Sequence, residues 1–238
     1  MTFPESQAIY YIQMQTEDYN LPKQIPVMTL RGVVLFPKAM MPLRIFEERY
    51  KNMLNERLLD DRIFAIVCER EDVPAEEEHL ERPFSVATAG LIRVSKENPD
   101  GTSFVLLQGL ERVRILSVSQ EVPYRIIDVE PMVTSIDTDS DKLRSTITDE
   151  LERNQKLGGD VSDEMLEFLS PLTDDTAFLD LAAYTLCKQT TRKQELLEEQ
   201  SFSRRANMLI EDLTRENDRL KLINDALGRN DDKSMGFN

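Results

Sequence analysis

The spacing of apolar positions changes near residue 135 of this chain. Before it, short β-prone runs alternate with turn residues. After it, apolar residues recur every three or four positions. Residues 1–24 read as an N-terminal arm in which Ile9-Tyr10-Tyr11-Ile12 is an apolar cluster in polar surroundings, packed as a tail on its own domain. Residues 27–30 and 33–36 read as strands broken by Arg31-Gly32. Pro37 and Pro42 cannot donate to a sheet ladder and belong at edges or bulges. Residues 45–59 predict a helix whose stripe is Phe46, Tyr50, Met53, Leu54 and Leu58. The unbroken apolar run 62–68 suits a strand covered on both faces. Beyond an acidic loop at 69–83, strands are predicted at 85–95, 103–108, 112–116 and 124–133, with Asn98-Pro99-Asp100-Gly101 as a turn. Six or seven strands and one helix, paired as a meander with few helical crossovers, predict a closed or half-closed β barrel over residues 25–134.

From residue 135 the pattern is helical. A polar helix at 141–155 ends at Gly158-Gly159. Ser162 is placed to cap a short helix carrying Met165, Leu166, Phe168 and Leu169. Residues 174–188 form a strongly apolar helix, and Thr191 with Gln194 spells a capping box for the next. A long helix at 201–227, stopped by Gly228, closes a helical subdomain at 135–238. In it Ala206, Leu213, Leu220 and Leu227 recur every seven residues, with Ile210, Asn217 and Asn224 three before each leucine. This seam either lies on the chain's own bundle or pairs two copies through Ile210, Leu213, Asn217, Leu220, Asn224 and Leu227, which makes a homodimer a candidate.

Charge narrows the partners. The net charge is −15, with 15 basic against 20 acidic residues in 1–129 and 14 against 24 in 130–238. A phosphate backbone binds where Lys and Arg displace counterions, so nucleic acid is disfavoured as a partner. Cys68 and Cys187 stand far apart without a CxxC and read as buried thiols of a reducing cytoplasm. His79, the single histidine, sits among glutamates, so no metal site is expected. No leader peptide and no apolar run of the roughly 20 residues a membrane span requires is visible.

The run Pro26, Leu30, Arg31, Val33-Val34-Leu35-Phe36-Pro37, followed by Pro42-Leu43, Ile45-Phe46-Glu47 and Arg49-Tyr50, resembles the start of the substrate-binding N-terminal domain of Lon proteases, closest to its short, free-standing bacterial versions. Further pieces follow in order: Gly90-Leu91-Ile92, Asp100-Gly101, Gly109 with Arg112-Val113 and Ile115, and Lys193-Gln194 with Leu196-Leu197-Glu198. The resemblance implies an α+β chain, a PUA-like mixed β barrel followed by a helical bundle with a long C-terminal helix. It also implies a non-catalytic module that binds proteins or peptides, with no cofactor, no catalytic residue and no metal. An RNA-binding PUA-like protein is the alternative. No GxxxxGK[ST] loop is present to hold a nucleotide. Lys38 stands where the family usually has Gly, and would cost about 1 kcal/mol if that turn needs a positive φ. Glu48 replaces a frequent Pro. Gly32 and the prolines are expected to shape turns, Val33–Phe36 and Ile45-Phe46 to fill the barrel, and Tyr50 to anchor the helix, while Met40, Met41 and Arg44 are candidates for a partner surface.

Overall fold

The computed structural model describes residues 19–70, 82–136 and 140–234, with the side chains of the last helix given through residue 227. The Ile9–Ile12 cluster and His79 lie outside the described residues. The chain divides into two compact units, residues 18–134 with 180–200, and residues 135–179 with 201–238.

The first unit is built on strands β1 (Gln24–Leu30), β2 (Met40–Ile45), β3 (Ile63–Cys68), β4 (Val86–Glu97), β5 (Ser103–Gln120) and β6 (Ile126–Pro131), with helix α1 (Glu48–Leu58) between β2 and β3. They form one six-stranded sheet in the order β2-β5-β4-β3-β1-β6. β1 and β3 run parallel and the other pairs antiparallel. β5 is long enough to pair twice: Ser103 to Gln108 face β2, and Val113 to Gln120 face β6. That second pairing returns the sheet to itself, so β5, β4, β3, β1 and β6 make a hydrogen-bonded ring. One apolar cluster fills it, with Ile25 and Val27 from β1, Ile63, Ala65 and Val67 from β3, Ala87 and Ala89 from β4, Leu110 and Val113 from β5, and Ile127 and Val129 from β6. The period-2 alternation of a pleated strand makes this sharing possible. β2 gives nothing to that cluster. It lies beside the first half of β5 as an edge strand with Pro42 in its middle.

Several expectations differ from what folds. Residues 33–36 form no strand; they are a loop whose carbonyls are taken elsewhere, Leu35 O by Thr88 Oγ1 at 2.6 Å and Phe36 O by Ala39 N at 3.2 Å. The two strands expected at 103–108 and 112–116 are one, because Gly109 carries the chain through a bulge rather than a break. Phe46 does not fill the interior; it is 63% exposed. The helix begins only at Glu48, so Phe46 precedes it and escapes its buried stripe of Tyr50, Met53 and Leu54. Cys68 is buried, whereas Cys187 is only half-buried.

Helices α2 (Ser140–Lys156), α3 (Asp163–Leu169), α4 (Asp175–Leu186), α5 (Thr190–Glu198) and α6 (Phe202–Ser234) follow. Periodicity placed residues 180–200 with the helical part, yet they group with the sheet. The end of α4 and all of α5 are tied there by side chains: Thr190 Oγ1 to Gly32 O at 3.4 Å and Gln194 Nε2 to Val86 O at 3.1 Å. Gln194 is thereby withdrawn from the capping box expected with Thr191, and α5 starts without a side-chain cap. Ser162 does cap α3, its Oγ accepting from Met165 N at 3.3 Å. α6 does not stop at Gly228 as expected but runs through it, at the cost of about 1 kcal/mol that a glycine carries in a helix relative to Ala.

In the second unit α2 and α6 lie side by side and parallel. Partners keep a nearly constant offset: Ser135 bridges Ser201, Asn217 Nδ2 donates to Glu150 O at 2.9 Å, and Asn224 Nδ2 donates to Leu157 O at 3.1 Å. At the centre Asn154 Nδ2 donates to Asn217 Oδ1 at 2.8 Å with both residues buried. An asparagine pair at an a-like position fixes register at some cost in stability. The seam from Ala206 through Leu213 to Asn217 is thus occupied within the chain. Ile210 and Leu220 are half-buried, while Leu222, Ile223 and Leu227 (59%) are exposed beyond it. Asn217→Ala leaves Asn154 and the Glu150 carbonyl short of a partner. We expect a loss of about 1–3 kcal/mol, read as a lower urea midpoint at unchanged slope.

α1 is tied to the strand region by Tyr124, whose hydroxyl donates to the Glu56 carboxylate. Burial, this hydrogen bond and the Glu56 charge push the Tyr124 hydroxyl up to about 12. A raised pKa marks stability that is complete below the unfolded tyrosine value of about 10 and disappears as pH rises through 12. Tyr124→Phe should therefore cost about 1 kcal/mol near pH 8. It should also flatten the fall in urea midpoint between pH 10 and 12. An unchanged high-pH limb in the variant would assign that fall to another group.

Candidate functional site

Some residues of the sequence signature meet at one place. Loop 33–39 crosses β5 at Gly109, where Lys38 N donates to Gly109 O and Gly109 N donates to Ala39 O, both at 2.8 Å. A Cβ on Gly109 would lie 2.0 Å from Phe36 O, so no side chain fits. Opposite it in register stands Gly90, where a Cβ would press on Leu107 at 2.7 Å. The Phe-Pro turn does use a positive φ: Lys38 has φ 66, so lysine bears strain at the position where glycine was expected.

Three residues beyond Gly109, Arg112 is 3% exposed. Its guanidinium makes a two-pronged bond to Asp180, with Nη1 to Oδ2 at 2.8 Å and Nη2 to Oδ1 at 2.6 Å, and its Nε donates to Leu197 O at 2.9 Å. The Phe36 ring lies 5.8 Å from its Cζ, and Tyr184 packs on Phe36 with centroids 6.3 Å apart. Phe36, Pro37, Gly109, Arg112 and the Gln194–Leu197 segment, far apart in sequence, form one buried joint. Sequence reasoning missed Asp180: nothing about an acid inside an apolar helix announces an arginine 68 residues earlier, although a lone acid there is itself a signal of a partner.

The remaining signature residues are dispersed. Leu30 ends β1, and Arg31 pairs with Glu69 at 2.6 Å. Arg49 pairs with Glu47 at 2.9 Å and lies 4.5 Å above the buried Tyr50 ring. Gly101 turns the β4–β5 hairpin at φ 74. Among the described residues no group of His, Cys, Asp and Glu could hold a metal ion. No helix among them is long and apolar enough to cross a membrane.

Met40, Met41 and Arg44 do not share a surface. They alternate on β2, so Met41 is buried while Met40, Pro42 and Arg44 point to the outer face. That face is organised in rows, because directly opposed residues on antiparallel strands point the same way. Pro42, Leu106 and Val94 make one row across β2, β5 and β4; Arg44, Phe104 and Lys96 make the next. Phe104 is 42% and Val94 46% exposed, and Phe46 follows at the end of β2. On the other side of the apolar row, Met40 opposes Gln108, whose Oε1 accepts from Arg93 Nε at 2.7 Å. Arg44 reaches Asp100 Oδ2 at 2.9 Å. Hydrogen bonds from Thr102, then the Arg44 charge, hold the Asp100 carboxyl below its ordinary value.

The sheet thus has an outer face carrying apolar side chains, and several signature residues join its elements. The chain belongs to the family of the ATP-dependent protease La (LON) substrate-binding domain, which it matches over residues 24–215. It is 26% identical to the Lon protease of Trichlorobacter lovleyi over 209 residues, 87% of this chain and 26% of that protein. It is 24% identical to Lon protease 1 of Bacillus subtilis over 218 residues, 91% of this chain and 28% of that one. The chain thus spans about a quarter of the length of these relatives. In fold it is similar to the N-terminal domain of the Mycobacterium avium complex Lon protease, with TM-score 0.62, 18% identity, and 81% of this chain and 98% of that one covered. It is also similar to a Lon N-terminal domain protein from Xanthomonas campestris, with TM-score 0.56, 20% identity, and coverage of 79% and 97%.

Proposed function

We propose that this chain is a non-catalytic module that binds polypeptide segments through apolar surface, using the outer face of β2, β5 and β4. The observation that carries this is the row Pro42–Leu106–Val94, exposed at Pro42 and Val94 and half-buried at Leu106, with Phe104 beside it on a hydrogen-bonded sheet. Apolar side chains grouped on one rigid face favour contact with sequence-tolerant apolar segments. Membership in a substrate-binding family supports the same reading. The RNA alternative gains less support, because many basic residues of this unit are matched by carboxylates: Arg31 by Glu69, Arg44 by Asp100, Arg57 by Asp60 and Asp61, Arg112 by Asp180, and Arg125 by Glu121.

The test uses the full chain and a reduced, carboxymethylated protein as an unfolded probe. Val94→Ser with Phe104→Ser should weaken binding by about tenfold or more, since two apolar contacts at the centre of a patch are removed. The thermal midpoint of the double variant should stay within a few degrees of the parent. Equal affinity of parent and variant would remove this face from the reading.

A further inference from the structure

Among the described residues β2 stands at one end of the sheet order and pairs with β5 alone. The other end, β6, is closed by its pairing with β5, so β2 is the end that ring closure leaves open. An open edge of backbone donors and acceptors is a template for a further strand. The turn before β2 decides which residues face that edge. Gly109 N donates to Ala39 O, and successive residues of a strand alternate the side to which their N–H and C=O point. Ala39, Met41, Leu43 and Ile45 therefore turn their backbone groups to β5, while Met40, Pro42 and Arg44 turn theirs to the open side. Pro42 is the middle one of this outward set, and it has no N–H.

We propose that Pro42 shuts the β2 edge against a second copy of this chain. Two such edges meet antiparallel about a two-fold axis. Centred on residue 42, the two prolines face each other and the middle of the ladder has no donor on either strand. Slid by two residues either way, each Pro42 faces Met40 or Arg44 of the other copy, whose carbonyl finds no donor. In both cases the pyrrolidine ring fills the place of the missing hydrogen and holds the incoming carbonyl off. The outer face shows what an unguarded edge risks. Directly paired residues keep to one face, so edge pairing would run the row Pro42–Leu106–Val94 into the same row of the second copy and merge two apolar strips into one.

Two measurements on the full chain test this. In the parent protein, amide hydrogen exchange followed by NMR should show the N–H groups of Met40 and Arg44 exchanging about a hundredfold or more faster than those of Met41 and Leu43. Equal protection of the two sets means that the edge is already covered and overturns the proposal. Pro42→Thr restores the donor without adding apolar surface. In sedimentation equilibrium its mass should rise with concentration to about twice that of the parent, because a two-fold pair is closed. Adding Arg44→Pro removes the neighbouring edge donor and should return the parent mass. A folded Pro42→Thr chain that matches the parent mass at every concentration overturns the proposal. Association that survives Arg44→Pro lies on another surface and overturns it too. The exchange measurement uses no variant, so it decides the point if Pro42→Thr does not fold.

Discussion

Replacing Arg112 by alanine should destabilise the fold by about 3–5 kcal/mol, the range for removing one partner of a buried ion pair. Asp180 is 1% exposed and would be left with neither guanidinium prong beside it. Leu197 O would also lose its donor, and the Phe36 ring its neighbour. The reverse experiment separates charge from shape. Arg112→Met combined with Asp180→Leu removes both charges and keeps most of the volume, and such replacements are often neutral or stabilising. The double variant should recover most of the loss in urea denaturation. If it is as unstable as Arg112→Ala, the joint depends on the hydrogen bond to Leu197 and on packing against Phe36, and the ion pair is secondary. The stable double variant should also retain peptide binding, because Arg112 is buried away from the outer face.

Gly109→Ala is the second large effect. The added methyl would meet a backbone carbonyl at 2.0 Å, and a carbonyl held by Ala39 N cannot rotate away as a side chain does. The loop and β5 must separate, which breaks both hydrogen bonds between residues 38–39 and Gly109. A loss of about 3 kcal/mol or more is expected, at the upper end for overpacking. Two other glycines supply the scale. Gly90→Ala presses on the Leu107 side chain, which can adjust in part, so about 1–2 kcal/mol is expected. Gly101→Ala meets no backbone but must hold φ 74, which costs about 1 kcal/mol. Thermal midpoints should fall in that order, Gly109 most. A Gly101 variant less stable than the Gly109 one would show that the hairpin turn, not the loop crossing, is the tighter constraint.

The helices and the buried strand were legible because their signals are local. Six consecutive apolar residues made β3 readable, and Ser162 three residues before Met165 made a cap readable. Gly109 and Arg112 were legible as signature positions, but the groups they touch were not. The heptad in α6 was read with its asparagine register device in place, and the second helix proved to be α2 of the same chain. Heptad spacing states that a helix has an apolar seam; it carries no information on what lies against it.

By itself the sequence determined the order and type of most elements and the change from strand to helix near residue 135, and it singled out Gly109 and Arg112. These follow from side-chain period, backbone freedom and the missing donor of proline, which act within a few residues. Only the tertiary structure decided that β5 pairs twice and closes the ring, that loop 33–39 is not a strand, that residues 180–200 group with the sheet, and that Met41 turns inward while Phe46 and Phe104 stay in solvent. Each of those outcomes depends on which distant group satisfies a carbonyl, a charge or an apolar face. That choice is made by energies of contact between segments that the spacing of residues along one chain does not record.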